Sequence, residues 1–164
     1  MKILQLHVDY IEYEPIQPEA EIYEEVERKR YRVEEALLLL TCIEEDDSPS
    51  IAQRVVDDAV EFMKKMRIGR LVIYPYAHLS VKLAPPNKAI KVLKEIGEEA
   101  ERRGIEVYRA PFGWNKRLII AVKGHPLAEQ LRSYGPEVKA EEEVPRALLV
   151  EEKIKSHWYI LTPD

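Results

Sequence analysis

Cys42 is the only cysteine among the 164 residues, so no disulfide forms within the chain and no cysteine pair is available to hold zinc or an iron–sulfur cluster. It lies inside an apolar run, out of reach for a nucleophile, and fits a reducing, cytoplasmic setting. Glycine is scarce too, at 6 residues, and neither a Gly-rich phosphate loop nor a Gly-x-Ser-x-Gly elbow occurs. The densest apolar stretch, Leu37 to Leu40, is far too short to cross a bilayer. Cations are not in excess: 25 Lys and Arg face 30 Asp and Glu, for a net charge of −5. A protein that grips nucleic acid through its phosphates needs clustered cations, so any such contact here is small or held by a tether. The four histidines, His7, His78, His125 and His157, are spread along the chain without metal-ligand spacing, and no metal site is expected.

What is present is a globular chain, 46% hydrophobic and 34% charged, with the Glu, Lys and Arg load of heat-adapted proteins. Met1 to Glu14 alternates as a half-buried strand, with Leu4, Leu6, Val8 and Tyr10 on one face and His7 and Asp9 on the other. The pair His7 and Asp9 reads either as a polar strand face or as residues holding one another or a ligand. Pro15 and Pro18 end that strand, and Glu19 to Arg32 is a solvated, mixed-charge connection. The run Ala36 to Ile43 suits a strand covered on both faces. Ser48 and Pro49 start a helix with Ala52, Val55, Val56, Ala59, Met63 and Met66 on its inner face, and Gly69 stops it. Arg70 to Tyr76 is a strand. Pro85 and Pro86 start a second helix that ends at Gly104, followed by a strand at Ile105 to Ala110. Leu118 to Val122 is another strand, and Pro126 starts a short third helix carrying Glu129. The pattern predicts an α/β (α+β) sandwich, a central sheet with two to three helices, and ligands beyond the strand ends. Residues 1–136 form this domain; 137–164 read as an acidic linker and the start of a following domain.

Candidate chemistry gathers between Arg109 and Glu129. A Pro111-Phe112-Gly113 turn presents Trp114, Asn115 and Lys116, and Tyr74 to Ser80 (YPYAHLS) offers a second wall. Each residue has two readings. Lys116 is a solvated cation or a group that places water; His78 is a capped structural histidine or a pocket residue; Glu129 is a first-turn helix acid or the lysine's partner.

Four segments, YPYAHLS, LAPPNKA, APFGWNK and KGHPLAE, together with the opening LHVDYIEYE, closely resemble the N-terminal editing domain of archaeal threonyl-tRNA synthetases over roughly Met1 to Glu129. SHWYILTPD looks like the lead-in to the rest of such a synthetase. The resemblance implies a D-aminoacyl-tRNA deacylase-like fold and hydrolysis of serine wrongly esterified to threonine tRNA. It implies Lys116, His78 and Glu129 as catalytic residues, the last two fixing the lysine. Pro75, Tyr76 and Ala77 then contact the aminoacyl group, Phe112 and Gly113 form the opposing wall, and Ile43 receives the terminal adenosine. That adenosine's 2′-hydroxyl helps activate the water, so side-chain replacements cost less than in other hydrolases. Asn115 departs from the family pattern, which has a tyrosine there; its amide still hydrogen-bonds. The implied partners are the CCA end of charged threonine tRNA, the rest of the synthetase chain and a second copy in a homodimer, with no membrane. No cofactor is implied in this domain, ATP and zinc belonging to the synthetic domain. Other readings are a free-standing D-aminoacyl-tRNA deacylase, disfavoured by SHWYILTPD, and an inactive module binding tRNA ends or amino acids.

Overall fold

Strand β1, Lys2–Pro18, organises the sheet because it is long enough to pair with three others. This is seen in a computed structural model that describes residues 1–135; the acidic linker and SHWYILTPD lie outside them. The other strands are β2 (Tyr31–Cys42), β3 (Arg70–Pro75), β4 (Glu106–Arg109), β5 (Trp114–Val122) and β6 (Glu129–Ser133), and the helices are α1 (Ala52–Met66) and α2 (Pro86–Arg102). The order across the sheet is β4-β3-β2-β1-β5, with β6 also beside β1. Strands β2, β3 and β4 are parallel neighbours joined through α1 and α2, whereas β1 pairs antiparallel with β2, β5 and β6.

Helices α1 and α2 cover one sheet face. Ile3, Leu37, Leu39, Leu71 and Ile73 meet Val55, Val56, Ala59 and Met63 of α1 and Val92, Leu93, Ile96 and Ala100 of α2. The opposite face carries a second cluster built from Leu6, Val8, Ile11, Tyr13, Ala36, Leu38, Leu40, Val72 and Tyr74. Strand β2 feeds both clusters, which is why its sequence is a continuous apolar run.

Four sequence expectations change. The alternation of β1 slips at a bulge: Val8 pairs with Val122 and Tyr10 with Ala121, leaving Asp9 as an extra residue. Leu6 and Val8 therefore share a face with Ile11 and Tyr13, not with Tyr10. Pro15 does not end β1, since it lies past the last β1–β2 pair, Tyr13 with Tyr31, where its missing N–H breaks no ladder bond on that side. Helix α1 stops at Arg67, in the left-handed region at φ 60°, rather than at Gly69. The third helix is absent: Ala128 N–H donates to His125 O at 3.1 Å in a tight turn, and Glu129 opens β6 instead.

That turn is docked on His7. The backbone of His7 donates to Ala128 O and accepts from Lys123 N–H, both at 2.9 Å, and its ring, 7% exposed, sits edge-on to Phe62. His7 Nδ1 lies 2.8 Å from His125 Nε2, while His125 Nδ1 accepts Leu127 N–H at 3.2 Å. In the neutral pair His125 Nε2–H therefore donates to His7. The two imidazoles are far apart in sequence but adjacent in space, and Asp9 pairs with Lys123 at 2.5 Å rather than with His7. Burial, then His125 and Lys123, lower the His7 pKa, with Glu35 and Asp9 opposing. The unfolded chain takes up this proton below pH ~6.5 while the folded chain resists it, so stability falls with pH in that range. We expect the melting temperature to drop between pH 7 and 5, and His7→Gln to flatten that slope; an unchanged slope contradicts this assignment.

Candidate active site

Beyond the C-terminal end of β3, the structure brings together Lys116, the Pro111–Gly113 turn and the aromatic end of β3. Lys116 sits on β5 opposite Pro15 of β1, and its half-buried Nζ donates to Pro111 O at 3.0 Å and Trp114 O at 3.2 Å. It lies 4.9 Å from the centre of the Tyr74 ring, a cation over an aromatic face. Tyr74 is in turn edge-on to Tyr13 at 6.0 Å, and Tyr13 stacks on Tyr31 at 5.1 Å. Burial raises both Tyr13, to about 12, and Tyr74, so this floor stays uncharged at neutral pH. Burial lowers the Lys116 pKa to about 8, against the pull of Glu19 and Glu24. The amine is therefore mostly protonated at pH 7 yet titrates close by.

The wall at the end of β3 follows from sheet pairing. Pro75 pairs with Thr41, Tyr76 N–H donates to Thr41 O at 2.8 Å, and Cys42 Sγ contacts Ala77 O at 3.8 Å. A single 3₁₀ turn, Ala77–Leu79, follows and presents His78 to solvent, its ring edge-on to Tyr76 at 5.1 Å. Ile43, just past β2, is buried under the helices, and its carbonyl accepts Ala84 N–H at 3.0 Å. Asn115 is exposed on β5, opposite Gln17.

Glu129 is not brought to this cluster. It pairs with Leu6 of β1, whereas Lys116 pairs with Pro15, nine residues further along the same strand. At ~3.3 Å per residue that is about 30 Å of strand. Among the described residues the hydrogen bonds of the lysine go to the Pro111 and Trp114 carbonyls, and none goes to Glu129 or His78. Near the Glu129 end a concavity of about 440 Å³ opens between His7, Glu35, Arg67, Arg70 and Lys123. Much of its charge is already internally paired, Lys123 with Asp9 and Glu35 and Arg70 with Glu106.

Sequence reasoning missed Glu24. The segment between β1 and β2 read as solvated, yet it crosses the Pro111–Gly113 turn closely. Glu19 N–H donates to Gly113 O at 2.7 Å, Glu24 N–H to Phe112 O at 3.0 Å, and Trp114 Nε1–H to Glu24 O at 2.7 Å. The Tyr23 ring is edge-on to Trp114 at 5.6 Å. Gly113 has φ +87°, and a Cβ there falls 2.6 Å from Tyr23 Cβ and 2.8 Å from Ile22 O. The signal was Tyr23 set in the charge run, an aromatic ring that packs edge-on against Trp114.

Residues 1–134 match the family described as the Archaea-specific editing domain of threonyl-tRNA synthetase. The chain belongs to that family. It is 41% identical to a threonine–tRNA ligase of Thermococcus sibiricus, 40% to one of Pyrococcus furiosus and 41% to one of Cenarchaeum symbiosum. Each alignment covers 100% of this chain and only 26–27% of the relative, so the chain spans about a quarter of those ligases. Among solved structures, the c-Myc DNA Unwinding Element Binding Protein superposes with TM-score 0.62 at 11% identity, covering 83% of this chain and 100% of that chain. That likeness is one of fold alone, and the α+β architecture expected from the sequence, a central sheet with two helices, holds. No helix among the described residues is long and apolar enough to cross a membrane.

Proposed function

We propose that this editing domain hydrolyses serine wrongly esterified to threonine tRNA, acting on the CCA end while the rest of a synthetase holds the tRNA. Membership of the editing-domain family over residues 1–134 carries the reading. The physical need is that a methylene-sized difference supplies only about 1–3 kcal/mol of discrimination in a binding pocket, so serine slips past a threonine site and a second sieve has to remove it. The tether raises the local concentration of the CCA end, which accounts for a chain of net charge −5 working on RNA.

In this reading the aminoacyl group lies between the Pro75-Tyr76-Ala77 backbone and the Phe112-Gly113 turn, with Ile43 near the adenosine and His78 and Asn115 at the rim. Lys116, as an ammonium, uses two donors on the Pro111 and Trp114 carbonyls. A lysine has three, and the remaining one stabilises charge growing on the ester carbonyl. The adenosine 2′-hydroxyl assists the attacking water.

That last point is open to direct test. Serine-charged threonine tRNA ending in 2′-deoxyadenosine is expected to lose serine far more slowly than the natural substrate under single-turnover conditions. Equal rates remove the hydroxyl from the mechanism. The exposed amide of Asn115 keeps an inactive binding module as the second reading, and absence of hydrolysis of either substrate favours it.

A further inference from the structure

One carboxylate, Glu24, holds the turn that holds Lys116. Its side chain is 13% exposed, and both oxygens are used. Oε1 accepts Arg109 Nη1–H at 3.1 Å and the Phe112 amide at 2.9 Å, and Oε2 accepts Arg109 Nη2–H at 2.5 Å. Its own backbone N–H and C=O engage Phe112 O and Trp114 Nε1. Arg109, at the end of β4, is itself braced: its side chain packs within 3.3 Å of the position a Cβ would take on Gly97 of α2. The peptide groups so gripped flank the carbonyls of Pro111 and Trp114, the two that receive the Lys116 ammonium.

We propose that Glu24 is a positioning residue for Lys116, acting through the 111–114 turn. This rests on the reading of Lys116 given above, but its first consequence is measurable without substrate. Glu24 is a charge as well as a clamp. Burial works to raise its pKa, yet the hydrogen bonds from Arg109 and the Phe112 amide prevail and the group stays ionised. The groups facing Lys116 are Glu19 and Glu24 from the β1–β2 segment and Tyr74 from β3, with Tyr13 behind Tyr74 and Arg109 behind Glu24. Of the charges among them, those of Glu19 and Glu24 favour the protonated amine, alongside the face of the Tyr74 ring. Removing the charge of Glu24 frees the turn and makes the ammonium easier to deprotonate.

The test compares the parent chain with Glu24→Gln, Glu24→Asp and, as a control, Glu25→Gln, whose carboxylate is exposed on the same segment. The Lys116 side chain is titrated by NMR without substrate, and the pH profile of serine release from charged threonine tRNA is then recorded. In Glu24→Gln we expect Lys116 to titrate at lower pH, the activity profile to move the same way, and kcat to fall on the order of 10-fold with KM little changed, the signature of a misplaced group. Glu24→Asp keeps the charge and is expected to restore the titration but not the full rate, and it is the arm to read if Glu24→Gln does not fold. Glu25→Gln is expected to match the parent. An unchanged titration and profile in Glu24→Gln, or a rate in Glu24→Asp equal to the parent's, overturns the proposal. A parent chain that releases no serine sinks the functional reading and leaves the titration to decide this one.

Discussion

Lys116→Met is expected to slow serine release by roughly 10- to 100-fold, less than the ~100- to 1000-fold seen when a donor is removed from a conventional oxyanion site. The smaller figure follows from the assistance proposed for the 2′-hydroxyl, which remains on the substrate whatever happens to the side chain. Methionine matches the length of lysine and removes its donors, so the loss reports hydrogen bonding rather than an emptied volume. Protonation gives the expectation a sign. With its pKa at about 8, the amine is charged below that pH and neutral above it. If the ammonium supports the developing oxyanion, the rate over buffer declines as pH rises through 8 in the parent, and that decline is missing in Lys116→Met. A rate over buffer that instead climbs through pH 8 assigns Lys116 to proton abstraction.

The second large effect belongs to Gly113. A left-handed φ of +87° costs any L-residue about 1–2 kcal/mol. An added methyl here also meets backbone, Ile22 O at 2.8 Å and Tyr23 Cα at 2.8 Å, which cannot rotate away. Gly113→Ala is thus expected to lower the melting temperature by roughly 5–10 °C and to push the β1–β2 segment off the turn. Serine release should then fall further than the fraction unfolded explains, because the Pro111 and Trp114 carbonyls move with the turn. Gly69→Ala is the control: no heavy atom lies within 4 Å of its Cβ position and its φ is ordinary. Its stability is expected to stay within about 0.5 kcal/mol of the parent. A Gly113→Ala protein as stable and active as Gly69→Ala contradicts the clamp.

Much of the scaffold was legible because its signals are local. The run Ala36 to Ile43 announced a strand buried on both sides, and the helical spacing of Val55, Val56, Ala59 and Met63 announced α1. What escaped depends on partners distant in sequence. A helix was expected after Pro126 because proline at a first turn is a good start signal, but here the chain turns within three residues, from His125 to Ala128, to dock on His7. The bulge at Asp9 shifted the phase of β1, so a clean alternation put Tyr10 on the wrong face.

At the site, Lys116 lies against the turn that the sequence marked beside it, donating to Pro111 O. The supports were hidden. Lys116 is held by backbone carbonyls, which leave no trace in a sequence, and Glu24 looked like any other acid in a mixed-charge segment. Glu129 shows the converse: a residue next to a turn motif in sequence lies about 30 Å from Lys116 along β1, because β5 and β6 pair with different halves of that strand.

The central claim is that this domain releases serine from threonine tRNA and spares threonine. The most direct measurement incubates the chain with serine-charged and threonine-charged threonine tRNA side by side, with and without a chelator, and follows ester loss. The account predicts loss of serine only, at a rate the chelator leaves unchanged. Release of both esters at one rate, or of neither faster than in buffer, contradicts it.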